Sequence, residues 1–285
     1  MFEHLIHVNS KGESLDFYEL GIFQNYNDLR DYEWEYSEVG NRIKNFRKKP
    51  VQKTVPYVFI VDEQKAVEIV NKFHEHFDID IVRKTKGYFR IGEWRLYCYC
   101  EGMNFDDYLK LNGYLKVTCK YISDEPNWRK EQKASFKPQE QGDYDFLDFY
   151  SPKAEPKVYG GDYPFDFTGR TAGRASFKVD HFADCDFKMT IYGPAIYPRV
   201  LIEDTVYQVY TTLATNEYLV VDSKNKQVVK YSVNGTATNC FDLRNKTNSI
   251  FTKISGGSHS AIWDGSFGFE ISFYIERSTP TWNLF

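Results

Sequence analysis

No run of about 18 or more apolar residues occurs in the chain, so no segment reads as a membrane-spanning helix, and the mean hydropathy of -0.55 agrees. The opening Met1-Phe2-Glu3-His4-Leu5-Ile6-His7 lacks both a basic start leading into an apolar stretch and a small-residue cleavage site, so no signal peptide is expected. Cysteine is scarce. Five thiols, an odd number in a chain this long, do not make a disulfide framework, and they read as reduced in a protein folded in cytosol. Excess positive charge is missing too: 36 Lys+Arg stand against 40 Asp+Glu, a net charge of -4, which argues against neutralising nucleic-acid phosphates as the main task. Neither G-x-x-x-x-G-K-[ST] nor G-x-G-x-x-G is present, so phosphate cradling has no support.

What the chain has in quantity is aromatic surface: 23 Phe, 22 Tyr and 5 Trp make up 18% of its 285 residues, far more buriable area than a disordered chain carries. At roughly 100–200 residues per domain, this length predicts two domains. Apolar and polar residues alternate through Leu115–Tyr121, Phe187–Ile191 and Phe267–Ile275, the period of half-buried strands, so the chain is expected to be mainly β. Tyr218–Val221 and Gln227–Tyr231 flank the turn-rich Asp222–Lys226 as a hairpin, and Asn234-Gly235 suits a following turn with positive φ at both central residues. One segment breaks the rule. After Asp62, an N-cap residue, Ala66, Ile69, Val70, Phe73 and Phe77 fall at helical spacing and predict an amphipathic helix over about 63–77, giving the first half an α+β character.

Alternation fails between about 129 and 175, where Lys, Gln, Glu, Pro and Gly accumulate. The expected division is a first domain over 1–128, a linker over 129–160 and a second domain over 161–285. Each half also closes on strand, Pro, one residue, Trp: Pro126-Asn127-Trp128 and Pro280-Thr281-Trp282.

Few residues invite chemistry. Cys98 and Cys100 share a strand face and Cys119 could join them, but zinc sites favour Cys-x₂₋₄-Cys on turns, so core cysteines are expected. His74 and His76, two apart on a helix, point about 200° from each other and read as surface histidines. Gly256-Gly257-Ser258-His259-Ser260 is no nucleophile elbow and reads as a Gly-rich turn. Carboxylates suffice for a glycosidase pair, yet nothing in their arrangement singles one out. No catalytic residue, cofactor or metal is expected, and the chain does not read as an enzyme.

From Asp28 to Glu38, acidic residues alternate with Tyr32, Trp34 and Tyr36, and the next stretch carries Arg42, Lys44, Arg47, Lys48, Lys49 and Lys53. The plain reading is a solvated strand pair with an exposed loop. The functional one is a surface whose acidic and basic patches meet those of neighbouring copies, as a head-to-tail ring requires.

Read in order, several segments resemble the distal tail protein family of long-tailed siphophages, the Sipho_tail-like baseplate hub. They are Leu29–Tyr36 with the basic stretch after it, the helix, Asp80–Gly92 and Ser123–Trp128 in the first half. In the second half they are Tyr163–Phe167, Ile191–Pro194, Pro198–Val200, Glu217–Leu219 with Asp222-Ser223, Asn234-Gly235, and Trp263 through Trp282. The resemblance implies an N-terminal β-sandwich or split-barrel domain with one helix that forms a homo-hexameric ring, then a C-terminal galectin-like β-sandwich. It implies a virion structural protein, assembled in the bacterial host cytoplasm and sited at the tail tip. That protein connects the tail-tube protein to the tail-tip protein, with receptor-binding proteins as further partners for host attachment. Family members that clasp such proteins directly carry a long insertion in the second domain, and residues 175–285 show none. Neither membrane insertion nor nucleic-acid sequence recognition is implied. Tyr32, Trp34, Tyr36, Arg42, Arg47, Lys48 and Lys49 are the candidates for the ring interface. The alternative is a non-catalytic carbohydrate-binding β-sandwich or adhesin, with Trp263 beside Asp264 as the sugar contact.

Overall fold

The computed structural model describes residues 4–24, 27–60, 62–109, 114–139 and 173–282. Tyr163–Phe167 and residues 140–160 of the expected linker lie outside the described residues. The chain is mainly β, with large antiparallel sheets and one α-helix among the described residues. It divides into two compact units, Met1–Lys130 with Glu276–Phe285, and Glu131–Ile275.

The first unit contains strands β1 (Leu5–Val8), β2 (Ser14–Asp16), β3 (Ile22–Gln24), β4 (Glu35–Val39), β5 (Arg42–Arg47) and β6 (Val51–Ile60). Helix α1 (Glu63–Arg83) follows, then β7 (Gly87–Ile91), β8 (Trp94–Leu109), β9 (Tyr114–Ser123) and the start of β10 (Trp128–Phe136). One sheet runs β2-β1-β7 onto the first half of β8, and another runs β3-β6-β9 onto its second half. β8 serves both because its register shifts at Cys100/Gly102 and Phe105/Asp107, irregularities that bend a strand. In β9 the alternation is realised side chain by side chain: Leu115, Val117, Cys119 and Tyr121 are buried between half-exposed neighbours.

Asp62 caps α1 by accepting a hydrogen bond from the Lys65 N–H at 2.8 Å. Ala66, Ile69, Phe73 and Phe77 are buried as the spacing predicts. Phe73 sits at the centre of the core, with ring centroids 5.4 Å from Tyr57, 5.6 Å from Phe59 and 5.6 Å from Phe77. Full burial of such a side chain contributes about 1.5–3 kcal/mol. The helix runs two turns beyond the expected end, to Arg83. Its last turns are tied down by Asp80, whose carboxylate accepts the Ser10 N–H at 2.6 Å.

His74 is exposed as expected, but His76 is not a surface residue. It is buried against β1, where its Nε2 and His7 Nδ1 share a hydrogen bond at 3.0 Å. Burial lowers the pKa of both rings, well below the usual value for His7 and to about 4 for His76. Cys98 and Cys119 are buried free thiols, held far from ionisation mainly by burial in Cys98 and by the Cys100 side chain in Cys119.

The second unit continues β10 and adds β11 (Gly173–Val179), β12 (Asp186–Tyr192), β13 (Ala195–Ile196), β14 (Arg199–Ile202), β15 (Thr205–Gln208) and β16 (Thr212–Leu213). β17 (Tyr218–Asp222), β18 (Gln227–Tyr231), β19 (Ala237–Asn239), β20 (Gly257–Trp263) and β21 (Phe269–Arg277) complete it. One sheet has the order β19-β18-β17-β12-β21-β10 and the other β11-β20-β14-β15. They face each other as a sandwich: Phe187 meets Tyr207 at 5.3 Å, Phe177 meets Phe273 at 5.6 Å and Trp263 meets Phe269 at 5.2 Å.

The β17–β18 hairpin forms as expected, with Asp222 opposite Gln227. In the next turn only Gly235 has a positive φ, 81°, because the loop closes by Ser232–Gly235 and Ser232–Thr236 hydrogen bonds and needs one left-handed residue. Arg129–Phe136, read as the start of a linker, is strand β10. The two Pro-x-Trp segments do not mark equivalent domain ends, since both lie in the first unit. Trp128 is buried, whereas Trp282 is 70% exposed. Gly257 opens strand β20 rather than a turn, and His259 within it is buried, bonded to Ser255 O at 2.7 Å and to Glu203 at 2.6 Å.

Candidate assembly interface

Strands β4 and β5 form a two-stranded hairpin that pairs with no other described strand. Val39 lies opposite Arg42, and Gly40, at φ 64°, takes the first position of the two-residue loop, where a type II′ turn places glycine. Nearly every residue of both strands is exposed. Tyr36 faces Phe46 across the pair, with centroids 6.5 Å apart. A register shift between Ser37 and Glu38 sets Ile43 opposite Glu38, on the same face as Tyr36. Tyr36, Ile43 and Phe46 are 57%, 54% and 54% exposed, an apolar face with nothing over it among the described residues.

The charges of the segment sort themselves within the hairpin. Arg47 lies 3.5 Å from Glu35, and Lys49 forms an ion pair with the same carboxylate. The Lys49 hydrogen bond, then both cationic charges, hold Glu35 below the usual carboxylate range. Arg42 and Lys44 are exposed near the tip, without an ion pair among the described residues.

Tyr32 and Trp34 do not lie on the strand; they precede it, at the hairpin's root, and Lys48 leaves it there. The Lys48 ammonium lies 5.3 Å from the Tyr32 ring centroid and 4.9 Å from that of Trp34. It donates to Asn127 Oδ1 at 2.8 Å and Ser278 Oγ at 2.8 Å, with Pro126 O at 3.5 Å. Burial first, then the charge of Lys53, lowers its pKa to about 8. Lys53 is buried in turn, capping the carbonyls of Asp28 and Asp31.

The sequence candidates therefore split by place. Tyr36 and Arg42 project from the hairpin, Arg47 and Lys49 pair with Glu35, and Tyr32, Trp34 and Lys48 form a cluster at its base. Ile43 and Phe46 complete the apolar face and were legible only as two apolar residues three apart in a basic stretch. Asn127 and Ser278 lie in segments that the resemblance rests on, but nothing in the sequence set them against Lys48.

The carbohydrate contact fails on burial. Trp263 is only 3% exposed, its indole N–H donates to Phe267 O at 3.0 Å, and its ring packs on Phe136 and Phe269, so no face is open to a sugar. Asp264 is exposed but engaged in its own turn, accepting from Ser266 N at 3.0 Å and Ser266 Oγ at 2.8 Å. Among the described residues no His, Cys, Asp or Glu cluster has metal-binding geometry, and no helix is long and apolar enough to cross a membrane.

No family model and no curated protein matches the chain by sequence. Solved structures do match by fold. The Dit protein of phage SPP1, described as a paradigm of the hub adsorption apparatus in phages infecting Gram-positive bacteria, aligns at a TM-score of 0.61 and 10% identity. The alignment covers 97% of this chain and 100% of that one. A chain of the phage P2 baseplate, in its activated conformation with calcium, aligns at 0.59 and 12% identity over 98% and 100%. The strontium form of that baseplate gives 0.58 and 12% over 98% and 99%. The chain shares its fold with these phage proteins.

Proposed function

We propose that this chain is a structural protein of a phage tail tip, without catalytic activity: a hub whose copies close a ring and connect the tail tube to the tail-tip and receptor-binding apparatus. The observation that carries the reading is the β4–β5 hairpin. An isolated two-stranded hairpin is marginally stable in water, and one that shows Tyr36, Ile43 and Phe46 to solvent gains its stability from what it lies against. A neighbouring copy supplies that surface, with the Arg42 and Lys44 side chains setting orientation. The fold likeness, which spans nearly the whole chain and includes a hub protein, supports the same role. Six copies per ring is the number the family resemblance supports.

Negative-stain images of the purified protein should show particles with a central hole. Tyr36→Ser combined with Phe46→Ser should leave the melting curve in place and abolish the rings, since both side chains are exposed in the single copy. A wild-type protein that stays monomeric at high concentration, with no partner in tail preparations, overturns the reading.

A further inference from the structure

The hairpin touches so little of the chain that its direction is set at its root, and the root is built from sequence-distant parts. Arg30, on the way in, has its guanidinium 4.0 Å from the Trp282 ring centroid and donates to Pro280 O at 2.9 Å and Thr279 Oγ1 at 3.3 Å. Next to it, Leu29 O accepts the Trp128 indole N–H at 3.1 Å. Lys48, on the way out, is held by Asn127 and by Ser278. Both ends of the hairpin are therefore gripped by the same two segments, Pro126–Trp128 and Ser278–Trp282. All of these residues belong to the first unit.

The lever is long. Strands of five and six residues reach about 17–20 Å at ~3.3 Å per residue, so a tilt of about 15° at the root moves the tip roughly 4–5 Å. A displacement of that size takes the apolar face out of register with any partner. A hairpin held in one direction avoids the ordering cost of finding it on association.

We propose that Lys48, together with the carboxy-terminal segment Ser278–Trp282, is a clamp that positions the hairpin for the neighbouring copy. Lys48 is then a positioning residue and not an interface contact. The inference rests on the hairpin being the ring contact, but the order of the hairpin can be read without any ring. Besides the Trp34 ring and the acceptors on Pro126, Asn127 and Ser278, the titratable and charged groups facing the Lys48 ammonium are Lys53 from β6, Glu276 from the end of β21 and the Tyr32 ring from the incoming chain. Glu276 is itself paired with Arg129 at 3.1 Å.

The test uses the full chain with Lys48→Met, which keeps the aliphatic stem, and separately Ser278→Ala and Trp282→Ala. Amide hydrogen exchange is followed in residues 35–47, and assembly by mass photometry. Lys48→Met should speed exchange in the hairpin about tenfold, as loss of charge-assisted bonds implies, while β6 and β9 keep their protection. It should also raise the concentration for half assembly about tenfold. After correction for intrinsic base catalysis, hairpin exchange in the parent should rise from pH 7 to 9.5 as Lys48 loses its proton, and the Lys48→Met profile should be flat. Hairpin exchange unchanged in all three variants overturns the clamp. If Lys48→Met loosens the whole unit, Ser278→Ala decides: faster exchange confined to 35–47 supports the clamp, and none overturns it. Absence of rings in the parent would sink the assembly reading alone, because the exchange result still stands.

Discussion

Lys84 ends helix α1 in a left-handed conformation, φ 52°, from which its N–H donates to Ile81 O at 3.1 Å and that of Thr85 to Asp80 O at 3.1 Å. This is the hydrogen-bond pattern that glycine usually terminates, and a side chain there costs roughly 1–2 kcal/mol, part of which glycine returns through its freedom in the unfolded chain. Lys84→Gly is expected to raise stability by about 0.5–1 kcal/mol, read from the urea midpoint. A lower midpoint would show that the lysine side chain makes contacts worth more than the strain. The buried His7–His76 pair sets a pH dependence. Both folded pKa values lie below the unfolded 6.5, so the unfolded chain binds more protons as pH falls. The stability they contribute is complete above about pH 6.5 and is lost progressively toward pH 4, the folded value of His76. Asp80, whose carboxyl is pushed up by burial, works in the other direction. The difference between the parent and His76→Gln therefore isolates the ring: it should favour the parent at pH 7 and shrink as pH drops to 4.5. A constant difference would mean that the His76 ring has the same pKa in the folded and unfolded chain.

Elements were legible where one face alone is buried. β9 and β12 announce themselves through strict alternation, and α1 through Ala66, Ile69, Phe73 and Phe77. The last part of α1 was hidden because a carboxylate, Asp80, takes the stripe position after Phe77, where it is buried for its bond to Ser10. β10 was hidden for a related reason: only Trp128 and Phe136, at its two ends, are buried, and the polar residues between them never become an apolar face. The hairpin segment was legible by its aromatic and charged composition. The inward role of Lys48 was not, because its partners lie 79 and 230 residues away. Two phenylalanines separate a core element from a presented one. Phe73 is 0% exposed and Phe46 54%. Phe73→Ala should cost about 3–5 kcal/mol in equilibrium unfolding and Phe46→Ala should stay within about 0.5 kcal/mol in the monomer. A large monomer penalty at Phe46 would place that ring against the body of the protein and remove it from the proposed interface.

At the scale of the whole molecule, the first unit is discontinuous in sequence, built from the first 130 residues and the last ten. Sequence reading divided the chain at 128 because composition changes there, and composition carries no sign that β21 ends in the other unit. The returning segment is well connected: Glu276 pairs with Arg129, Ser278 with Lys48, Pro280 and Trp282 with Arg30, and Thr281 Oγ1 accepts the Trp94 indole N–H at 3.3 Å. Hydrogen bonds of this kind contribute about 1 kcal/mol each and the cation–π contact about 0.5–1 kcal/mol, although partial exposure discounts the sum. A fragment ending at Lys130 should therefore unfold with at least about 2 kcal/mol less stability than the same fragment carrying residues 276–285 on a flexible linker. For a unit of this size that is a difference of roughly 5–10 °C in Tm. Equal melting of the two fragments would show that the segment rests on the first unit without stabilising it, and that the unit folds on its first 130 residues alone.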